Sequence, residues 1–269
     1  MANPLHTFQE KTSSPSIFRI YWYIDENKNG IVDVDVRQFC DDPGLIAELC
    51  ALQFLYFDCS YNNGNYLTSG FGHKFVVSNP EILKLVMGVS DKSYAKRFTN
   101  QLVLRLEGIE YEVASENTIK DKITLTNKNL KFIFSDDEQF TQQYYVLNTP
   151  GIGDVHITRH ALEQYKKRIE SGGVLKNSFK SLIKRLKHPE LQELNIEENI
   201  HLRKYIKYGN NIKTTFWSHS SSTIGFTVIE DRGRKILVTV YRRDKEFMQQ
   251  KFEKKQRKEQ AVYRGDYGY

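Results

Sequence analysis

A chain of 269 residues with 39% hydrophobic, 13% aromatic and 27% charged residues has enough apolar material for a packed core and no low-complexity bias toward disorder. It contains no run of about 18 apolar residues and no apolar leader core at its start. Its three cysteines, Cys40, Cys50 and Cys59, form neither a CxxC pair nor a zinc-finger spacing. The expected setting is cytoplasmic, with reduced thiols, no membrane, and no metal or cofactor.

Taken along the chain, residues 1–16 are polar, carry Pro4 and Pro15, and are expected to form a flexible arm. Phe18 to Ile24 and Ile31 to Val36 read as a β-hairpin, with Asn29-Gly30 as a type I′ turn. The loop between them places Asp25, Asn27, Asn29 and Gly30 at calcium-loop spacing, but Val36 stands where a bidentate Glu is required. Asp42-Pro43-Gly44 opens a helix over Leu45 to Tyr56, Lys74 to Val77 is a short strand, and Ser78-Asn79-Pro80 leads into a helix through Val86. From Gln101 to Asn148 the pattern alternates through Leu102, Leu104 and Leu106, Tyr111 and Val113, Ile123 to Leu125, Leu130 to Phe134, and Tyr144 to Leu147. Antiparallel strands are expected there.

Pro150-Gly151-Ile152-Gly153 reads as a domain boundary. Beyond it come a strand at Val155 to Thr158, a helix at Arg159 to Glu170, a helix from Asn177 or Ser178 to Pro189, and strands at Ile212 to Ser218, Ile224 to Ile229 and Ile236 to Tyr241. Lysine and arginine then dominate to the end. The fold class expected is α+β in two domains. An acidic mixed α/β domain with antiparallel strands spans 17–150 as a non-catalytic scaffold. A basic β-α-α-β-β-β domain spans 151–247, and a basic helical tail spans 248–269.

The formal net charge of +6 is divided unevenly. Residues 1–150 carry 14 Lys and Arg against 19 Asp and Glu, a net of −5, while residues 151–269 carry 25 against 14, a net of +11. Such asymmetry points to a polyanion partner, RNA or DNA, for the second half. Arg159, Arg203, Lys204, Tyr205, Lys207, Tyr208, Arg232, Arg234 and Arg243 are the candidate nucleic-acid contacts. In Arg203-Lys-Tyr-Ile-Lys-Tyr208, cations for phosphates alternate with aromatic rings for bases.

The β-α-α-β-β-β order, the opening Ile157-Thr-Arg-His-Ala161 leading to Tyr165 and Arg168, and the closing Val238-Thr-Val-Tyr-Arg-Arg243 resemble the RelE and BrnT toxin superfamily of metal-free ribonucleases. That resemblance covers about Asp154 to Phe247 and implies an endoribonuclease whose candidate catalytic residues are His160, Arg168, His219, Tyr241 and Arg242. Cutting RNA without metal needs a base, cations on the phosphate and an acid for the leaving oxygen, which His, Arg and Tyr supply. In the first ninety residues, the hairpin ending at Asp25, the helix carrying Glu48 and the strand ending at Ser78-Asn79 resemble a ribonuclease H-like fold. That resemblance departs at Asn79, where a metal-binding Asp would stand, and implies a catalytically dead scaffold.

Three functions fit these residues. One is a nucleic-acid-interacting protein that extends to toxin-like metal-independent cleavage. The second is a non-enzymatic phage or mobile-element protein that binds and inhibits a host nucleic-acid-handling defence complex. The third is a metal-dependent nuclease in the first half. The residues alone do not decide between cleavage and binding, nor do they fix an oligomeric state.

Overall fold

The computed structural model describes residues 3–37, 40–58, 70–114, 120–123, 130–169, 177–194 and 212–243. The fold is mixed α/β with two six-stranded sheets. By its internal contacts the chain divides into two compact units: Met1–Tyr145 with Gly173–Ser181, and Val146–Gly172 with Leu182–Tyr269. Among the described residues no helix is long and apolar enough to cross a membrane.

In the first unit β1 (Leu5–Lys11), β2 (Ile17–Asp25) and β3 (Lys28–Asp35) form an antiparallel meander. Helix α1 (Pro43–Gln53) follows, capped by Asp42, whose carboxylate accepts from Leu45 N at 3.1 Å. A π-helical turn (Phe54–Asp58) extends it. Strand β4 (Lys74–Val77) then returns parallel to β1, with Leu5 opposite Phe75. After α2 (Glu81–Met87), α3 (Ser93–Lys96) and α4 (Asn100–Arg105) come β5 (Glu110–Val113), parallel to β4, and β6 (Leu130–Phe134), parallel to β3. The sheet order is β5-β4-β1-β2-β3-β6. Ile20, Val32, Val34, Leu45, Leu49, Leu52, Phe75, Ile82 and Phe98 belong to its buried core.

Several expectations for this half are corrected. Residues 5–11 are not an arm; they form an inner strand, with Leu5 and Thr7 buried on one face by the period-2 pattern. The hairpin turn is Glu26-Asn27, since Asp25 pairs with Lys28. Asn29 and Gly30 lie inside β3, where the Asn29 side-chain amide closes the turn by donating to the carbonyls of Asp25 and Glu26. Leu102 to Arg105 is helical with Leu106 as its C-cap, because Leu102 and Leu106 are also i, i+4 and are both buried. Strands β5 and β6 are parallel to their partners, each joining the sheet only after a crossover. Strand β6 is an edge that carries exposed Leu130, Phe132 and Phe134 in alternation, with the Arg37 guanidinium 3.9 Å from the centre of the Phe134 ring.

The second unit is built on a sheet of order β7-β8-β12-β11-β10-β9, formed by β7 (Tyr144–Thr149), β8 (Gly153–Thr158), β9 (Gln192–Glu193), β10 (Lys213–Ser218), β11 (Ile224–Asp231) and β12 (Arg234–Arg242). The turn at Pro150–Gly153 therefore joins neighbouring strands of one sheet. Helix α5 (Arg159–Arg168) starts at the C-terminal end of β8, where Thr158 Oγ1 accepts from Ala161 N at 2.9 Å, and it buries Ala161, Leu162 and Tyr165. Helix α6 (Ser178–Leu186) contains the point at which the two units divide. The chain elements from β8 to β12 follow the expected order, with the two-residue β9 added. Residues 203–208 and the tail 248–269 lie outside the described residues.

Two features fix the register of this sheet. Arg232 and Gly233 both have positive φ, 49° and 75°, so they make the tight β11–β12 turn. At the other end Gly225 faces Tyr241 across the ladder, and a Cβ on Gly225 would collide with the Tyr241 ring. Gly225→Ala should destabilise the protein by about 1–3 kcal/mol, read as a lower urea midpoint. Deleting residues 1–11 should abolish folding of the first unit, read as loss of its cooperative unfolding transition, because an inner strand is removed.

Candidate functional site

Two places collect ionisable groups. In the first unit Glu48, on α1, is fully buried at 0% exposure. Its Oε1 accepts from Thr7 Oγ1 and Ser78 N, each at 2.7 Å, and its Oε2 accepts from Ser78 Oγ at 2.8 Å and Asn79 N at 3.1 Å. Burial pushes this carboxyl above its ordinary value, and the four donors pull against that shift. Each oxygen already accepts two hydrogen bonds, so no lone pair is left for a metal ion. Asp25 takes no part: it holds its own turn by accepting from Asn27 N at 2.9 Å, and it lies about 10 Å along β2 from Trp22, the partner of Thr7. Glu48 staples α1 to β1 and to the end of β4. Glu48→Ala, which strands those donors in a dry site, should cost about 3–5 kcal/mol by urea unfolding.

The second place lies at one end of the second sheet, where β10 turns into β11 and β12 finishes. Arg243, just past β12, is only 7% exposed. Its backbone N–H donates to Thr223 O at 2.7 Å, and its Nη1 donates to Ser218 Oγ at 3.0 Å, His219 O at 3.3 Å and Ser222 O at 3.4 Å. Ser218 Oγ in turn donates to Ile224 O at 2.7 Å. The guanidinium is thus the centre around which the 218–224 turn is wound. Its Nε is buried without a hydrogen-bond partner, and among the described residues no carboxylate makes an ion pair with it. Burial pulls its pKa below the ordinary value, yet an arginine remains a cation.

On the rim of this buried charge, His219 stacks on His188, ring centres 4.1 Å apart and planes 22° from parallel. His188, Glu190 and Arg185 come from the end of α6 and the segment after it, and Arg185 Nη1 donates to Ser222 Oγ at 3.3 Å. Burial lowers the His219 pKa first, and the charges of His188, Arg185 and Arg243 lower it further against the opposing pull of Glu190. One ligand-type atom from each of His188, Glu190 and His219 lies within 4.8 Å of the other two. Among the described residues the cluster gathers two arginines, two histidines and one carboxylate.

The residues expected from the sequence fall into separate groups. His219, Arg242 and Arg243 share this end of the sheet, with Arg242 exposed and opposite Ile224. Tyr241 is half-buried and packs edge-on to Phe216 and over Gly225. Burial pushes its pKa up to about 12, and its hydroxyl is buried without a hydrogen-bond partner.

His160 and Arg168 sit on α5. His160 is exposed, and Arg168 bonds back to Gln164 on its own helix. Helix α5 starts beside β8, three strands from β10, a lateral separation of about 14 Å. The structure therefore does not bring the expected catalytic set together. Arg159 is tied to Glu163 at 3.0 Å. Arg232 and Arg234 lie at the far end of β12, about 26 Å from Arg242. Arg203, Lys204, Tyr205, Lys207 and Tyr208 are outside the described residues. Sequence reasoning missed Arg185, His188 and Glu190, whose signal was the cationic last turn of α6 followed by His188-Pro-Glu190. Comparison with family models, with curated proteins and with solved structures finds no match to this chain.

Proposed function

We propose that the protein binds nucleic acid through the second unit, and that it grips the phosphate backbone at the end of the sheet where Arg243, Arg185, His188 and His219 meet. The observation that carries this reading is the buried Arg243 guanidinium with no acid paired to it among the described residues. A charge held so far from water favours an anion on the adjoining rim, where Arg185 and the two histidines supply donors. The net of +11 over residues 151–269 acts in the same direction at longer range.

Binding is favoured over cutting. The candidate base His160 lies three strands from His219, and the Tyr241 hydroxyl is sealed inside the fold. The likeness to RelE and BrnT ribonucleases is accordingly proposed at the level of element order. For the first unit we propose a non-catalytic ribonuclease H-like scaffold. What supports this is the β1-β2-β3 meander, α1 carrying Glu48, and β4 returning beside β1 so that Thr7, Glu48, Ser78 and Asn79 meet.

Fluorescence anisotropy with a labelled single-stranded RNA in EDTA tests the reading. Affinity should fall steeply with salt, and Arg185→Ala should weaken it about fivefold to tenfold, or about 1–1.4 kcal/mol, while reducing the log–log salt slope by about 0.7. The Arg232→Ala, Arg234→Ala double variant, altered at the opposite end of the sheet, should bind as tightly as the unaltered chain. The RNA should be recovered intact. A flat salt response, or equal loss in both variants, overturns the placement.

A further inference from the structure

We propose that His188, Glu190 and His219 form a site for a divalent transition-metal ion of the zinc class, and that this ion, flanked by Arg185 and Arg243, takes the phosphate oxygen as its remaining ligand. The second clause rests on the phosphate reading given above. The first does not, and it departs from the metal-free chemistry that the sequence resemblance implies.

The ligand set is chemically apt. Two imidazoles and one carboxylate are a three-ligand set that leaves a fourth position open. The three come from two segments locked by other contacts. Pro189 stands between His188 and Glu190, and Leu191 N donates to His188 O at 3.0 Å, closing that bend. His219 is held by Arg243 through its carbonyl, while Ser222 N also donates to it at 3.0 Å.

The ligand atoms lie within 4.8 Å of one another. A tetrahedral zinc site with bonds of about 2.0–2.2 Å brings such atoms to about 3.3–3.6 Å, so loading requires a contraction of no more than about 1.5 Å. Side-chain rotation supplies it, since Glu190 is exposed and both rings are only half-buried. At present the Nδ1 of His188 accepts from Glu190 N at 3.2 Å, and the Nδ1 of His219 accepts from Ser221 N at 3.3 Å. These contacts, together with that of Ser221 Oγ to His219 Nδ1 at 3.3 Å, sit at or beyond the usual hydrogen-bond limit, so a metal ion taken at Nδ1 displaces weak partners.

The two arginines explain why an anion must accompany the ion. A dication next to Arg185 and Arg243, with Glu190 as the lone carboxylate of the cluster among the described residues, has a local excess of three positive charges. A backbone phosphodiester, a monoanion, in the open position reduces it to two. Ion and anion are therefore expected to bind cooperatively. This coupling separates the arrangement from a bare structural zinc site, which is closed by four protein ligands.

The experiment uses the full chain, stripped of metal by a chelator and titrated with Zn²⁺ against a chromophoric competitor, with Co²⁺ absorption reporting the coordination geometry. One ion per chain is expected, with a tetrahedral cobalt spectrum. His188→Ala, His219→Ala and Glu190→Gln should each weaken binding tenfold or more in proteins whose circular dichroism is unchanged. Glu190→Gln, at an exposed position, decides the matter if a histidine variant fails to fold. Absence of a stoichiometric ion, or binding that survives all three changes, overturns the site. RNA anisotropy with and without Zn²⁺ tests the coupling, for which at least fivefold tightening is expected, abolished by Glu190→Gln. Inorganic phosphate titrated in place of RNA shows whether a free phosphate suffices. Equal RNA affinity in zinc and in EDTA overturns the coupling and leaves the phosphate reading intact. No RNA binding under either condition removes that reading, and the Zn²⁺ titration still decides the metal site.

Discussion

A guanidinium withdrawn from water must find oxygens to hold it, and the shape of the second unit's working end follows from how Arg243 does so. Its Nη1 meets Ser218 Oγ and the carbonyls of His219 and Ser222, which bends the β10–β11 connection around a single positive charge. That bend sets His219 where it can stack on His188, and Arg185 reaches the same turn through Ser222. Without Arg243 the three carbonyl and hydroxyl oxygens have no common donor, and the rim residues lose the frame that assembles them.

The two units handle a buried charge in opposite ways. In the first, the Glu48 carboxylate is surrounded by two hydroxyls and two backbone N–H groups, so its field is spent on its own fold. In the second, among the described residues, the charge is met by neutral oxygens, and more cations than acids stand beside it. The first arrangement ties a carboxyl into its own fold; the second leaves a positive charge beside the rim.

Much of the second unit was legible because its signals are local. Thr158 caps α5, Leu162 and Tyr165 fall on one helical face, and β11 and β12 are linked by a turn whose Gly233 tolerates positive φ. The first unit misled in places where two periodicities coincide. Leu102, Leu104 and Leu106 alternate like a strand, yet Leu102 and Leu106 are also i, i+4, and tertiary packing chose the helix. Strand β1 was hidden because its last three residues, Gln9, Glu10 and Lys11, are as polar as a loop, and only pairing with both β2 and β4 makes it a strand. At the site, His219 and Arg243 were visible as residue types, whereas their neighbours Arg185, His188 and Glu190 lie about thirty residues before His219 and more than fifty before Arg243. Such a meeting depends on sheet order, which no local pattern encodes.

Strand β6 bears on how the protein behaves in concentrated solution. It closes one side of the first sheet with Leu130, Phe132 and Phe134 turned outward, and the two phenylalanine rings meet edge to face 5.2 Å apart. A sheet margin offers backbone hydrogen-bonding groups as well as side chains, and greasy side chains on that margin make strand addition by a second molecule thermodynamically attractive. The single guanidinium of Arg37 over Phe134 is a modest guard against this. A tendency to associate in concentrated solution would thus start from this margin of the acidic first unit.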